Sequence, residues 1–297
     1  MGALLERNDR TILSLFKYFK LLCYIPKLFK YLSNPVTAAI NYELKGIAIV
    51  RLKNGKYVKV QRSPNLYLST LINLLDKKWK ISSLNNNDIF FEYKGISLIQ
   101  PNFGSLATED IQIYYFSFDV KQKVVLDVGS YFGETPIMFL KWGKAKQIIA
   151  VEPVPLHLHY LKLNIEVNKC SNLVEILPFA VSSKNGIIEL KSNIPIGIGA
   201  FGIENGDYKL KVKAISWRNL LKLAKKKKVN FAKIDCEGAE EHLVNVESDL
   251  LKNIPEYLIE IHNKEIEKKV LAKFESVGYK VRKLRQKGLV SLWYFSI

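Results

Sequence analysis

Four short segments hold most of the side chains suited to chemistry, and each closes an apolar run. The run VVLDV at 124–128 is followed by GSYFGE, so Asp127 precedes Gly129, Ser130 and Gly133. Glycines at such a turn let the backbone bend tightly and leave room for a ligand against the following helix. The spacing is not the G-x-G-x-x-G of nicotinamide enzymes. A carboxylate two residues before the first glycine repels a pyrophosphate and suits an amine or hydroxyls, although an aspartate can also serve such a turn as a plain cap. The run QIIAV ends in Glu152-Pro153, 23 residues after Gly129. An acid there can accept hydrogen bonds from both ribose hydroxyls of an adenosine. Together the two tips point to an adenosine ligand without a phosphate chain, S-adenosylmethionine.

Two further tips are polar and one is apolar. LPFAV at 177–181 puts Ala180 where it would line an adenine slot or simply fill a core strand. KIDCEGAE at 233–240 is the densest polar group, with Asp235 and Glu237 at the mouth of the presumed site. Acids there also compensate a helix dipole. EIH ends the next run, and His262 would face the same rim; Asp235 or His262 would take the proton of a hydroxyl acceptor, the histidine being suited to that near neutral pH. Glu237 is suited to orienting an acceptor or, with Asp235, to holding a divalent ion, but three ligands cannot be counted from the sequence. His157 and His159 lie two apart on a helix and do not share a face. No metal site is assigned.

The elements that must position these residues follow from periodicity. From 119 onward, strands at 124–128, 147–151, 174–181, 230–234 and 256–261 alternate with helices at 135–142, 155–168, 216–226, 239–247 and 264–277. A glycine-bearing hairpin-like insertion covers 186–215, and strands at 280–284 and 290–297 close the chain. Repeated β-α-β units mean an α/β fold with a mostly parallel sheet and helices on both faces. The short link at Lys287-Gly288 makes the last strand antiparallel. In such sheets ligands bind beyond the carboxyl ends of the strands, where the tips lie.

Residues 1–118 read as a separate α+β region and 119–297 as the domain that carries the site. The spacing predicts a basic amphipathic helix over 11–32, with Lys17, Lys20, Lys27 and Lys30 in one sector. It suits an anionic membrane surface or packing against the protein or a partner. A hairpin turns at Asn54-Gly55, a helix spans 64–79, and 85–88 is a loop. A second hairpin pairs 89–93 with 96–99, and a short helix covers 108–118.

Composition excludes several classes. With 297 residues and 48% hydrophobic content, the chain is neither disordered nor a peptide module. Cys23, Cys170 and Cys236 are scattered and odd in number, which fits a reducing compartment rather than a disulfide framework. No secretory signal or spanning run is visible, so the expected location is cytoplasmic, or membrane-peripheral where 11–32 meets an anionic surface. The net charge of +17 is spread along the chain and attracts anions without choosing among nucleic acid, lipid and phosphate. Lys225 to Lys228 suit a solvated helix end.

In order, the tips VVLDVGSYFGETP, IIAVEPVPLHLHYLKLNIEVN, ILPFAVSS, FAKIDCEGAEEHL and YLIEIH resemble the FkbM family of S-adenosylmethionine-dependent methyltransferases. Asn164 and Asn168 fit the family's N-x-x-x-N ending. The resemblance implies a Rossmann-like class I core, usually of seven strands. It implies methyl transfer to an oxygen of a sugar, glycolipid or other small acceptor. By position, Asp127, Gly129, Ser130, Gly133, Glu152, Pro153 and Ala180 would hold the cofactor; Asp235, Glu237 and His262 would lie by the methyl group and acceptor. Tyr131 departs from the family, which often has a small residue there. An RNA acceptor docked on the basic surface, and a non-catalytic scaffold keeping the fold, are the competing readings.

Overall fold

The computed structural model describes residues 25–61, 68–84, 88–103, 106, 118–193 and 206–297. The chain divides into two compact units, Met1–Tyr93 with Gln100–Ala107, and Lys94–Ile99 with Thr108–Ile297.

In the first unit, residues 25–31 are helical; the rest of the expected 11–32 helix, 11–24, lies outside the described residues. Helix α1 (Pro35–Lys45), not anticipated from periodicity, has proline in its first turn and ends on left-handed Gly46. Strands β1 (Ile47–Arg51) and β2 (Tyr57–Gln61) pair antiparallel around Asn54-Gly55, with Val50 opposite Val58. The helix expected over 64–79 is α2 (Leu68–Asp76); positions 64–67 are outside the described residues, as are 85–87 of the expected loop and 108–117 of the expected short helix. Strand β3 (Lys80–Ser83), also unanticipated, pairs antiparallel with β4 (Ile89–Tyr93). Strand β5 (Ile96–Gln100), which belongs to the second unit as far as Ile99, follows a turn in which Lys94 and Gly95 have positive φ.

The second unit contains β6 (Val124–Val128), α3 (Glu134–Lys141), β7 (Gln147–Val151), α4 (Pro155–Val167) and β8 (Val174–Leu177). After these come β9 (Ala180–Ser182), β10 (Gly186–Ser192), β11 (Tyr208–Ser216), α5 (Trp217–Lys226) and β12 (Phe231–Ile234). The unit closes with α6 (Ser248–Leu251), β13 (Glu256–Ile261), α7 (Lys264–Val277), β14 (Lys280–Lys287) and β15 (Val290–Ser296). A seven-stranded sheet runs β14-β15-β13-β12-β6-β7-β8. β13, β12, β6, β7 and β8 are mutually parallel, and β15 is antiparallel to both neighbours. Every residue of β6 and β12 is buried, as strands covered on both faces require. Phe231, Tyr257, Phe274 and Phe295 are fully buried around this sheet.

Two expectations for this unit need correction. The strand expected over 174–181 breaks at Pro178, which has no N–H to donate to a ladder. The chain turns there, with Phe179 N donating to the Leu177 carbonyl at 2.9 Å. β9 then pairs in parallel with β11 in a separate three-stranded sheet ordered β10-β11-β9. That sheet contains the expected hairpin, β10 against β11; residues 194–205, with Gly197, Gly199 and Gly202, are outside the described residues. The helix expected over 239–247 is a tighter 3-10 helix, Ala239–Asn245. The Ala239 carbonyl accepts from Trp217 Nε1 at 2.8 Å. That bond ties the first turn of the segment to Trp217 at the start of α5.

Candidate active site

The strand order brings the polar tips together. β12 lies beside β6 and β6 beside β7, so Asp235, Asp127 and Glu152 stand at the carboxyl ends of three adjacent strands. His262 follows β13, the next strand over. Asp127, Glu152 and Asp235 therefore line one edge of one sheet.

The loop after β6 is shaped by its glycines. Gly129 has φ +80°, and a Cβ there would lie 1.8 Å from the Asp235 carbonyl oxygen. Only glycine lets the loop cross the tip of β12 at this distance. Gly133, at φ +93°, packs against Leu161 of α4, whose Cδ1 would be 2.8 Å from an added Cβ. Ser130 is buried and its Oγ donates to the Asp127 carbonyl at 2.9 Å. Asn164 ties the same loop to α4 by donating to the Phe132 carbonyl at 2.9 Å, and it also binds both backbone groups of Ile99. Asn168 does the same for Ser97. The N-x-x-x-N pattern thus has a mechanical basis: two amides spaced one helical turn apart clip the backbone of β5.

Asp127 sits beneath this loop and is fully buried. Its Oδ2 accepts from Thr135 Oγ1 at 2.6 Å, and its Oδ1 faces Lys233 Nζ at 3.4 Å. Burial pushes the Asp127 carboxyl above its ordinary range, and Lys233 opposes that shift. Lys233, directly opposite Asp127 in the parallel register, is itself buried. Its Nζ donates to the Gly129 carbonyl at 3.0 Å and lies 3.5 Å from Asp235 Oδ2. Burial alone would lower the Lys233 pKa; the carboxylates of Asp127, Asp235 and Glu260 outweigh it and hold the amine above the usual lysine range.

Glu152 is buried at the tip of β7. Its Oε2 accepts from Tyr131 N at 3.0 Å, and its Oε1 accepts from Val154 N at 3.0 Å and faces His157 Nδ1 at 3.0 Å. Pro153 carries the chain from this tip into α4. Tyr131 has φ 49°, uncommon for a residue with a side chain. Its ring packs on Phe132 and, edge to face, on His157, with centroids 3.8 and 4.4 Å apart. Ala180 is buried in the small β9–β11 sheet, beside Val154.

The last group surrounds His262. Glu240, fully buried, accepts from His262 N at 2.9 Å and faces His262 Nδ1 at 3.0 Å through Oε1. Its Oε2 accepts from Gly238 N at 2.9 Å and is met by Cys236 Sγ at 3.4 Å. The opposite ring nitrogen, Nε2, looks outward at Glu237 Oε2 (3.4 Å), Asp235 Oδ1 (3.6 Å) and Glu260 Oε1 (4.0 Å). Burial would depress the imidazole, yet the carboxylates of Glu240, Glu237 and Asp235 push it up to about 10. Burial, aided by Asp235, Glu240 and Glu260, pushes Glu237 up to about 7 against the pull of His262. Glu237 also occupies the left-handed region, at φ 52°. Burial and Glu240 hold Cys236 well above the ordinary thiol range, so it is a neutral thiol and no nucleophile.

Sequence reasoning passed over Lys233, Glu240, Thr135 and the role of His157. All four act on other site residues from below or behind, which spacing along one strand does not reveal.

This sheet, with its glycine loop and acidic tips, is a Rossmann-like α/β arrangement. A methyltransferase FkbM domain matches residues 127–281, more than half of the chain, and the chain belongs to that family. No curated protein matches the chain. Among solved structures, it is similar to a putative tRNA (m1A22) methyltransferase, Sp1610, of Streptococcus pneumoniae in complex with S-adenosyl-L-methionine. That match has 14% identity and a TM-score of 0.42, covering 64% of this chain and 72% of that one. It is also similar to M. jannaschii TYW2 in complex with AdoMet (15% identity, TM-score 0.42, 73% of this chain and 88% of that one). A third is precorrin-6y C5,15-methyltransferase of Geobacter metallireducens (14% identity, TM-score 0.40, 63% of this chain and 86% of that one).

Proposed function

We propose that this methyltransferase uses S-adenosylmethionine to methylate a hydroxyl of a small molecule, sugar or glycolipid. The observation that carries the reading is the placement of Glu152, the Gly129–Gly133 loop and Asp235 on three neighbouring strand tips. The residues present suit the cofactor. The loop is cleared of side chains where it crosses β12, and Glu152 keeps acceptor capacity for ribose hydroxyls beyond its contacts with Tyr131, Val154 and His157.

When bound, the cofactor supplies an electrophilic methyl group on a sulfonium. Glu152 and Pro153 would hold its ribose end, and Ala180 would line its base. Gly129, Ser130 and Gly133 form the floor, braced by Asp127 through Thr135 and Lys233. Asp235, Glu237 and His262 form the acceptor end. Glu240 fixes the His262 ring, and Lys233 lies 3.5 Å from Asp235 Oδ2. A pKa near the working pH suits a proton acceptor, which makes Glu237, at about 7, the best-matched carboxylate for the hydroxyl proton. Orientation alone can be worth roughly 7–11 kcal/mol in such a displacement.

Calorimetry with S-adenosylmethionine tests the cofactor end. Glu152→Ala should weaken binding about 10- to 100-fold, the loss of charge-assisted bonds worth roughly 1.5–3 kcal/mol. Glu237→Gln should bind the cofactor normally and turn over about 10²-fold more slowly. Incubation with labelled methyl donor and fractionated cell extract tests the acceptor. Label in a sugar, lipid or small-molecule fraction is expected; label in RNA overturns the acceptor assignment, and no heat with the cofactor overturns the reading itself.

A further inference from the structure

The acceptor end contains an arrangement that acid–base chemistry does not require. Three donor atoms on two neighbouring strand tips, Asp235 Oδ1, Glu237 Oε2 and His262 Nε2, all lie within 4.8 Å of one another. The two carboxylate oxygens stand 3.6 and 3.4 Å from Nε2. A charge-assisted N–H···O bond closes to about 2.7–2.9 Å, so neither is drawn onto the ring. Around a shared ion about 2.1 Å from each, tetrahedral ligands stand about 3.4 Å apart and adjacent octahedral ones about 3.0 Å, so an ion would need to draw these donors in by no more than a few tenths of an ångström.

The surroundings fix this geometry independently of the three donors. His262 is clamped from behind: Glu240 holds both its Nδ1 and its backbone N–H. A buried carboxylate on the far nitrogen of a histidine is the outer-shell partner that metal-binding imidazoles usually carry, because it holds the Nδ1 proton and leaves Nε2 to the ion, which must displace the proton there. Asp235 is steered in the same way, its Oδ2 lying toward Lys233 so that Oδ1 faces the ring. Glu260 Oε1 lies a further step away, at 4.0 Å from Nε2. One nitrogen and two carboxylate oxygens thus lie together at the carboxyl edge of the sheet, and the cations nearest the group, Lys233 and Arg285, are engaged on its flanks.

We infer that Asp235, Glu237 and His262 form a seat for a divalent cation, with Glu240 as its outer-shell support, and that the ion's remaining coordination positions take the oxygen of the acceptor. One nitrogen and two carboxylates suit a borderline-to-hard ion such as Mn²⁺ or Mg²⁺. The seat itself stands on side-chain geometry; its use for an acceptor rests on the methyltransferase reading above.

The test uses the full chain, stripped with chelator and titrated with Mn²⁺ while free ion is followed by electron paramagnetic resonance. One site is expected. Asp235→Asn and Glu237→Gln should each weaken it at least tenfold, and Glu240→Gln should weaken it about 10- to 100-fold. Glu241→Gln should leave it unchanged, because that acid pairs instead with Lys269 on the surface. If Asp235→Asn does not fold, Glu237→Gln, at the more exposed rim, decides alone. No bound Mn²⁺, or binding that survives both ligand substitutions, overturns the inference. Calorimetry with S-adenosylmethionine in chelator keeps the two readings apart: heat without a metal site sinks only the ion, and a metal site without heat sinks only the cofactor assignment.

Discussion

Replacing Lys233 by methionine removes one buried cation and keeps most of its volume. The amine lies 3.4 Å from Asp127 and 3.5 Å from Asp235 and donates to the Gly129 carbonyl. At an effective dielectric of about 20, two unit charges at the 3.4 Å of the first pair attract by roughly 5 kcal/mol. Partial relief of desolvation brings the usual cost of breaking a buried pair to about 3–5 kcal/mol. The loss should depend on pH. Asp127 is already pushed upward by burial, and without Lys233 it rises further. An acid whose folded pKa exceeds its unfolded value destabilises the folded state once pH passes the unfolded value, about 3.9. The deficit of Lys233→Met should therefore be small near pH 4 and grow as pH rises, until the raised Asp127 pKa is passed. Urea unfolding followed by tryptophan fluorescence at pH 5 and pH 8 measures this. A midpoint equal to the parent's at both pH values, or a deficit that is the same at both, refutes the claim that Lys233 neutralises Asp127.

Gly129→Ala should destabilise far more than Gly55→Ala in thermal melts. Both have positive φ, costing roughly 1–2 kcal/mol, but only Gly129 would drive its Cβ into a carbonyl oxygen, at 1.8 Å. In chelator-treated protein, the His262 ring should stay protonated through neutrality, with a midpoint at about 10 by NMR; Glu240→Gln should move it toward the ordinary 6.5. The raised pKa of His262 stabilises the fold fully below its unfolded value and is lost as pH rises through about 10, so the parent should lose more stability than Glu240→Gln across that window. Asp76, paired with Lys27 and Tyr31, is held down to about 2. Its contribution, about 1 kcal/mol for a partly exposed group, should be present above pH 4 and fade as pH falls toward 2, and Asp76→Asn should flatten that limb of a circular-dichroism acid titration.

How much was legible in the sequence varied with the kind of information required. The parallel strands were readable because each is a continuous apolar run, and their polar ends follow at once from where the run stops. Glu152 and His262 were found in that way. Pro178 marked a break that a longer apolar pattern concealed. The short strand at 80–83 and the helix at 35–45 lacked a long periodic signal of their own. No local pattern separated the 3-10 turns after Gly238 from an α-helix, and the Ala239 carbonyl there is met by Trp217, more than twenty residues earlier in the chain. Local propensity contains no trace of such a partner.

Lys233 shows most clearly what pairing adds. Along its own strand it is one lysine in an apolar run, and burial there costs free energy unless opposite charge surrounds it. Register supplies that charge: β12 lies parallel to β6 with Lys233 opposite Asp127, and Asp235, two residues on, points to the same side of the sheet. The cation is satisfied only because those strands are neighbours, and it then holds the Gly129 carbonyl of the loop that crosses above it. Glu240 works on the other side by the same logic, fixing His262 of the next strand. The outward-facing acids at this edge are thus positioned by buried partners of opposite or complementary charge. A substitution at Lys233 or Glu240 should accordingly disturb the acceptor end while leaving the Glu152 end, held separately by Tyr131, Val154 and His157, intact.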